Sequence, residues 1–117
     1  MATAEPTLAE AMGRQADACD ALGSPLYARL IRNLRDDLEA GGATHGLLSG
    51  RTDSPLRDAI VLRLLGAVHR LVLRGDAPDL ALQYPSAGGT GSSIDPGLFL
   101  ENAMRFESEV VESLYQN

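Results

Sequence analysis

The segment between Ser54-Pro55 and Gly75 constrains the fold most, because it places apolar residues on nearly every side of one helix. Serine is a favoured cap, proline fits the first helical turn, and glycine is a frequent stop signal. The apolar positions are Leu56, Ala59, Ile60, Val61, Leu62, Leu64, Leu65, Ala67, Val68, Leu71, Val72 and Leu73. A helix that is apolar all round is buried on most sides. We therefore predict a central helix over residues 55–74, with about 20 residues and a length of about 30 Å.

The N-terminal part carries start signals for two further helices. Thr7 and Glu10 have the spacing of a capping box, which predicts a helix over residues 8–22. Ser24-Pro25 precedes an amphipathic pattern that predicts a second helix over residues 25–40.

The C-terminal part carries similar signals. Asp76 is expected to cap a short helix over residues 77–83. Asp95-Pro96 opens a helical stripe that continues to the end of the sequence. These patterns predict one terminal helix over residues 96–117.

No alternating polar and apolar run is long enough to predict a strand. The sequence therefore predicts an all-α fold, an irregular bundle of four or five helices around the long apolar one. Its 117 residues suit a single helical domain, residues 1–117. Two glycine-rich segments, 41–54 and 86–94, are expected to be flexible loops.

Composition excludes several functional classes. The net charge of −6 argues against a nucleic-acid partner, which needs a basic face. All ten basic residues are arginine, which excludes a lysine Schiff base or a P-loop lysine within these residues. Cys19 is the single cysteine, so no internal disulfide and no metal site are expected. The sequence shows neither a signal peptide nor a membrane span, and we expect a cytoplasmic protein without a membrane partner.

Charge is sorted along the chain. Residues 25–75 carry a net charge of +3, whereas residues 1–24 carry −3 and residues 76–117 carry −6. The simpler interpretation is that the terminal helices form ion pairs with the middle ones at the surface. The alternative is an arginine face that binds an anionic ligand.

The C-terminal stripe runs through Leu114 and Tyr115 without a stop signal before Asn117. Four glutamates lie in this last helix, although a helix C-terminus favours cations. This pattern predicts a truncated fragment of a longer protein, and a natural frayed helix end is the alternative. The apolar central helix also needs more cover than short neighbours provide, which predicts self-association or docking on a missing C-terminal domain.

Several motifs resemble a bacterial family known only as a domain of unknown function. They are the block 62–73, then Gly75-Asp76-Ala77-Pro78, Tyr84-Pro85-Ser86 and Gly88-Gly89, with Ser24-Pro25-Leu26-Tyr27 as an opening motif. The resemblance extends over most of the chain from Ser24 onward. It implies a longer protein whose later region is an α/β domain similar to S-adenosylmethionine-dependent methyltransferases. No cofactor is expected in this chain, and the resemblance places S-adenosylmethionine in the missing region.

The central helix carries the first candidate site. His69 and Arg70 are either a core histidine and an ion-paired arginine, or a ligand-binding pair in which Arg70 anchors a carboxylate or phosphate. Arg63, Arg70 and Arg74 share one helix face and must reach water, acids or a ligand.

The second candidate site follows the short helix. Tyr84 and Ser86 flank a proline, so their hydroxyls either line a cleft or pin a loop. Gly88 and Gly89 belong to a glycine-rich segment that either wraps an anion or forms a plain linker. No complete catalytic constellation is present, so no catalytic residue is predicted and any activity is expected to need residues beyond Asn117.

Three functional hypotheses follow. In the leading one, the chain is a non-catalytic N-terminal module that lines a ligand cleft with a missing α/β domain. The residues expected at that junction are His69, Arg70, Tyr84, Ser86, Gly88 and Gly89. The second hypothesis is a stand-alone homodimeric interaction domain. The third is a small anionic-ligand binder that uses the arginine face and the glycine-rich loop.

Overall fold

The computed structural model describes residues 6–89 and 93–115, which form helices and turns without a strand. This confirms the all-α class. The helices of the described residues are α1 (Leu8–Ala21), α2 (Pro25–Glu39), α3 (Ala43–Leu48), α4 (Ile60–Leu73), α5 (Pro78–Ala81), α6 (Pro96–Arg105) and α7 (Glu107–Leu114), with a 3-10 helix at Pro85–Ala87. The helices are shorter and more numerous than the sequence patterns indicate.

Two compact units divide the chain, Met1–Leu62 and Arg63–Asn117. Helix α4 begins in the first unit and continues in the second. This division does not test the prediction of a single domain, which stays a prediction.

In the first unit, α1 begins with the predicted capping box. The Thr7 hydroxyl accepts a hydrogen bond from the Glu10 amide at 3.1 Å, and the Glu10 carboxylate accepts one from the Thr7 amide at 3.1 Å. These bonds to Thr7 lower the pKa of Glu10. Helix α2 packs against α1 and buries Leu30, Ile31, Leu34 and Leu38 of its predicted apolar stripe, together with Ala28. Its start differs from the expectation in one detail, because the Ser24 side chain makes no capping hydrogen bond.

Helix α3 lies inside segment 41–54, where the sequence predicts a loop. Its start is supported by a residue of the preceding helix, since the Asp37 carboxylate accepts a hydrogen bond from the Thr44 amide at 2.9 Å. Gly42 lies so close to this carboxylate that a β-carbon there would clash with it. The distance of seven residues between Asp37 and Thr44 hides this cap from a local pattern.

Helix α4 begins later than the sequence predicts. Residues 55–59 form turns, and Ala59 has a φ of 50°, which is left-handed backbone that a helix does not continue through. From Ile60 onward most side chains are buried, as the apolar pattern indicates. The buried residues are Ile60, Val61, Leu64, Leu65, Ala67, Val68, Leu71 and Val72.

In the second unit, Asp95 caps α6 as predicted, and its carboxylate accepts hydrogen bonds from the amides of Gly97 and Leu98 at 2.8 and 3.2 Å. The predicted terminal helix is interrupted at Phe106, where φ is −113° and ψ is 36°, and it continues as α7. Helix α5 is shorter than predicted. Ala77, not Asp76, stands at its cap position, because the Asp76 carboxylate accepts from Arg74 instead.

Among the described residues, no helix combines the length and the apolar character that crossing a membrane requires.

Replacing Asp37 with alanine is expected to destabilise the chain by about 0.5–2 kcal/mol, because the Thr44 amide loses its acceptor. The matched control is Asp36→Ala, at an exposed neighbouring carboxylate in the same helix. Urea unfolding measures both changes in the free energy of unfolding. Equal effects of the two substitutions would contradict the capping role of Asp37.

Candidate functional site

Arg63 in α4 and Arg74 directly after it bind α7. The Arg63 guanidinium donates to the Leu114 carbonyl at 3.2 Å, close to the end of α7. The Arg74 guanidinium, which directly follows α4, lies 3.0 Å from the Glu109 carboxylate and 2.6 Å from that of Asp76. Hydrogen bonds to Asp76 and then to Glu109 raise the pKa of Arg74. Both arginines therefore hold the last described helix beside α4.

A different side of α4 carries His69. Its ring stacks on Tyr84, with the ring centroids 5.3 Å apart and the planes inclined by 19°. Tyr84 is buried, with 2% of its surface exposed, whereas His69 is half-buried. The stack thus joins α4 to the segment that follows α5, and it brings together two residues that the sequence singles out as separate candidates.

The turn from Tyr84 to Gly89 is closed by its own backbone. The Tyr84 carbonyl accepts from the amides of Ala87 and Gly89 at 3.1 and 2.8 Å. Gly88 has a φ of 85°, which favours glycine. A β-carbon on Gly89 would lie 2.7 Å from the Ala81 carbonyl oxygen and closer still to that of Leu82. The backbone conformation at Gly88 and the lack of space at Gly89 therefore explain both glycines without a bound anion.

The remaining candidates stand as follows. Ser86 belongs to the 3-10 helix, and its side chain lies outside the described part of the structure. The glycine-rich loop also includes residues 90–92, which are outside the described ranges. The amides of Gly97 and Leu98 at the start of α6 already donate hydrogen bonds to the Asp95 carboxylate.

Between the two anchored sides, α4 presents an exposed face that we call the α4 strip and define as Gly66, Arg70 and Leu73. These residues follow one another at spacings of four and three, so they share one helix face. At about 100° per residue, His69 lies on one margin of this face, and Arg63 and Arg74 lie on the other. Leu73 is 59% exposed, and Gly66 and Arg70 are exposed as well.

Arg70 differs from its two neighbours. Within residues 6–89 and 93–115, the Arg70 guanidinium has no hydrogen bond or ion pair, whereas Arg63 and Arg74 are bonded to α7. The three arginines therefore do not act as one cationic face. Arg70 alone is available for a carboxylate or phosphate from outside the described chain.

Gly66 and Leu73 were not among the candidates that the sequence provided. A glycine inside a helical apolar run is the signal that indicates Gly66, since glycine weakens a helix and calls for a reason. Leu73 resembles any core leucine in the sequence, because only the packed structure shows which side of α4 is open.

Comparison with known proteins agrees with the resemblance in the sequence. Residues 9–115 match the family model DUF2332, described as an uncharacterized protein conserved in bacteria. The chain belongs to this family. No curated protein and no solved structure matches the chain. Membership brings no activity with it, so the function has to be argued from the α4 strip and the residues beside it.

Alanine substitutions at two glycines are expected to have opposite effects. Gly66→Ala should stabilise the isolated chain by about 0.5–1 kcal/mol, because alanine favours a helix and its β-carbon meets no atom within 4 Å. Gly89→Ala should destabilise it by about 1–3 kcal/mol, since backbone carbonyls fill the space. Denaturant unfolding of both variants measures the changes. A destabilised Gly66→Ala chain would show that an element of the chain covers this glycine.

Alanine substitutions of Arg63 and Arg70 are expected to change the free energy of unfolding by different amounts in the same assay. Arg63→Ala should cost about 1–2 kcal/mol, because a half-buried charged donor to the Leu114 carbonyl is lost. Arg70→Ala should stay within about 0.5 kcal/mol of the unsubstituted chain, as for a surface residue without partners. A large cost for Arg70→Ala would contradict its assignment as a residue without a structural partner.

Proposed function

We propose that this chain is a non-catalytic helical module that docks on the α/β domain of a longer protein through the α4 strip. In this arrangement His69, Arg70 and the exposed part of the Tyr84–Gly89 turn line the cleft between the module and that domain, and the buried Tyr84 supports His69 through the ring stack. The observation that carries the proposal is the exposed Arg70, which lacks a partner among the described residues and lies beside the exposed Leu73.

A non-catalytic role is supported by what the other candidates do. His69 stacks on a buried tyrosine, two arginines hold α7, and two glycines shape a tight turn. These are positioning tasks, and they leave a surface rather than a set of reacting groups. The family resemblance implies the α/β domain and places S-adenosylmethionine in it. No described residue of this chain is assigned to bind this cofactor.

The homodimer remains the second candidate. It is favoured by two large side chains that are exposed: Leu73 at the end of α4 is 59% exposed, and Tyr115 directly after α7 is 58% exposed. Light scattering of the chain over a range of concentrations distinguishes it, since a persistent monomer contradicts a homodimer.

The small anionic-ligand binder is the third candidate. Of the three arginines it would use, two are bonded to α7 or to Asp76, which leaves Arg70 as the cation for a ligand. A single exposed guanidinium in contact with water is a weak anion site.

Cysteine labelling tests the proposed docking. In the natural protein, produced in its source cells, Arg70→Cys in a Cys19→Ser background should react with a maleimide about tenfold or more slower than in the 117-residue chain, because the docked domain covers it. The matched control is Arg105→Cys, at an exposed arginine of α6. It should react equally fast in both proteins.

Two results would overturn the proposal. One is equal labelling of Arg70→Cys in the natural protein and in the 117-residue chain. The other is an intact mass of the natural protein close to 12.4 kDa, which leaves no further domain to dock.

A further inference from the structure

Gly66 leaves bare backbone in the middle of α4. It is exposed, and a β-carbon there would meet no atom within 4 Å. Glycine in a helix interior is unfavourable relative to alanine. No described residue of this chain fills the space beside Gly66. A glycine at this position is explained if another element approaches the helix closely.

Arg70, one turn further along, specifies a charge. Helix α4 contains no acidic residue, and the arginines on its margin are bonded to α7 and Asp76. A surface that covers Arg70 without supplying an anion would bury an unpaired charge, which is costly. An occupant that covers Arg70 therefore contributes an anionic group at this point, and in a polypeptide that group is a carboxylate.

The borders of the strip give the occupant a direction. Helix α7 lies on one side through Arg63 and Arg74, and the Tyr84–Gly89 turn lies on the other through the stack on His69. The open surface therefore runs along the axis of α4, and Leu73 extends it as an apolar contact. Gly66, Arg70 and Leu73 lie on successive turns of α4. This spacing suits a second helix whose row of side chains packs along α4.

We propose that the element docked on the α4 strip is an acidic α-helix, which crosses α4 closely at Gly66 and places an aspartate or glutamate against Arg70. The inference rests on the proposed function and specifies the partner of the same surface. Small residues at a helix crossing allow the two backbones to approach, and the carboxylate neutralises Arg70 as the interface excludes water.

The test uses Leu73→Cys, in the Cys19→Ser background of the natural protein, as the reporter of docking. Gly66→Trp should raise the maleimide reactivity of this cysteine to the rate found in the 117-residue chain, because the indole occupies the crossing point. The melting temperature of the 117-residue chain should not fall, since Gly66 is exposed and a β-carbon there meets no atom within 4 Å. The matched control is Gly46→Trp, at another exposed helical glycine with nothing within 4 Å, and it should leave the reporter cysteine protected.

Charge variants test the second half of the inference. Arg70→Glu should release the reporter as Gly66→Trp does, because two carboxylates then repel each other. Arg70→Lys should retain most of the protection, because it keeps the cation. Equal behaviour of Arg70→Glu and Arg70→Lys would overturn the acidic partner.

The remaining outcomes separate the two proposals. Protection of the reporter that survives Gly66→Trp would overturn the helix at Gly66 while the docked domain stands. A reporter that is unprotected in the natural protein would overturn both. Concentration-dependent association of the 117-residue chain that Gly66→Trp abolishes would identify a second copy as the occupant and would overturn the inference.

Discussion

Burial of α4 is the constraint on which the other features of the second unit depend. Most of its aliphatic side chains are removed from water, and each large one contributes about 1.5–3 kcal/mol. The same helix and the residue after it carry Arg63, His69 and Arg74, whose polar ends have to be satisfied at the margins of the buried surface. Bonds to α7 and Asp76 meet this need for the two arginines, and the ring of His69 packs on Tyr84. Together these contacts leave the α4 strip as the open face.

Residues of one type have different tasks in this chain. Gly89 is required by backbone carbonyls that leave no room for a β-carbon, whereas Gly66 faces open space. Arg63 and Arg74 hold a helix, whereas Arg70 has no partner among the described residues. The contrast within each pair directs attention to Gly66 and Arg70, because a residue without an internal role is available for an external one.

The sequence predicted those features that depend on neighbouring residues. The capping box at Thr7, the cap at Asp95 and the amphipathic stripe of α2 are all set within a few residues of the chain, and the structure contains them. The predictions from sequence were wrong where a contact with a distant residue, or a competing contact, decides the local structure. The first turn of α3 donates a hydrogen bond to the Asp37 carboxylate, seven residues before Thr44. Asp76 binds Arg74 instead of capping α5.

By itself, the sequence determined the all-helical class, the apolar character of α4 and the family to which the chain belongs, because periodicity, capping signals and motifs are local properties of the chain. Only the tertiary structure decided which of the three arginines is available and which face of α4 is open. That decision depends on the position of α7 and of the Tyr84–Gly89 turn around the helix. No local pattern encodes it, since Leu73 and the buried Leu71 look alike until the neighbours of each are in place.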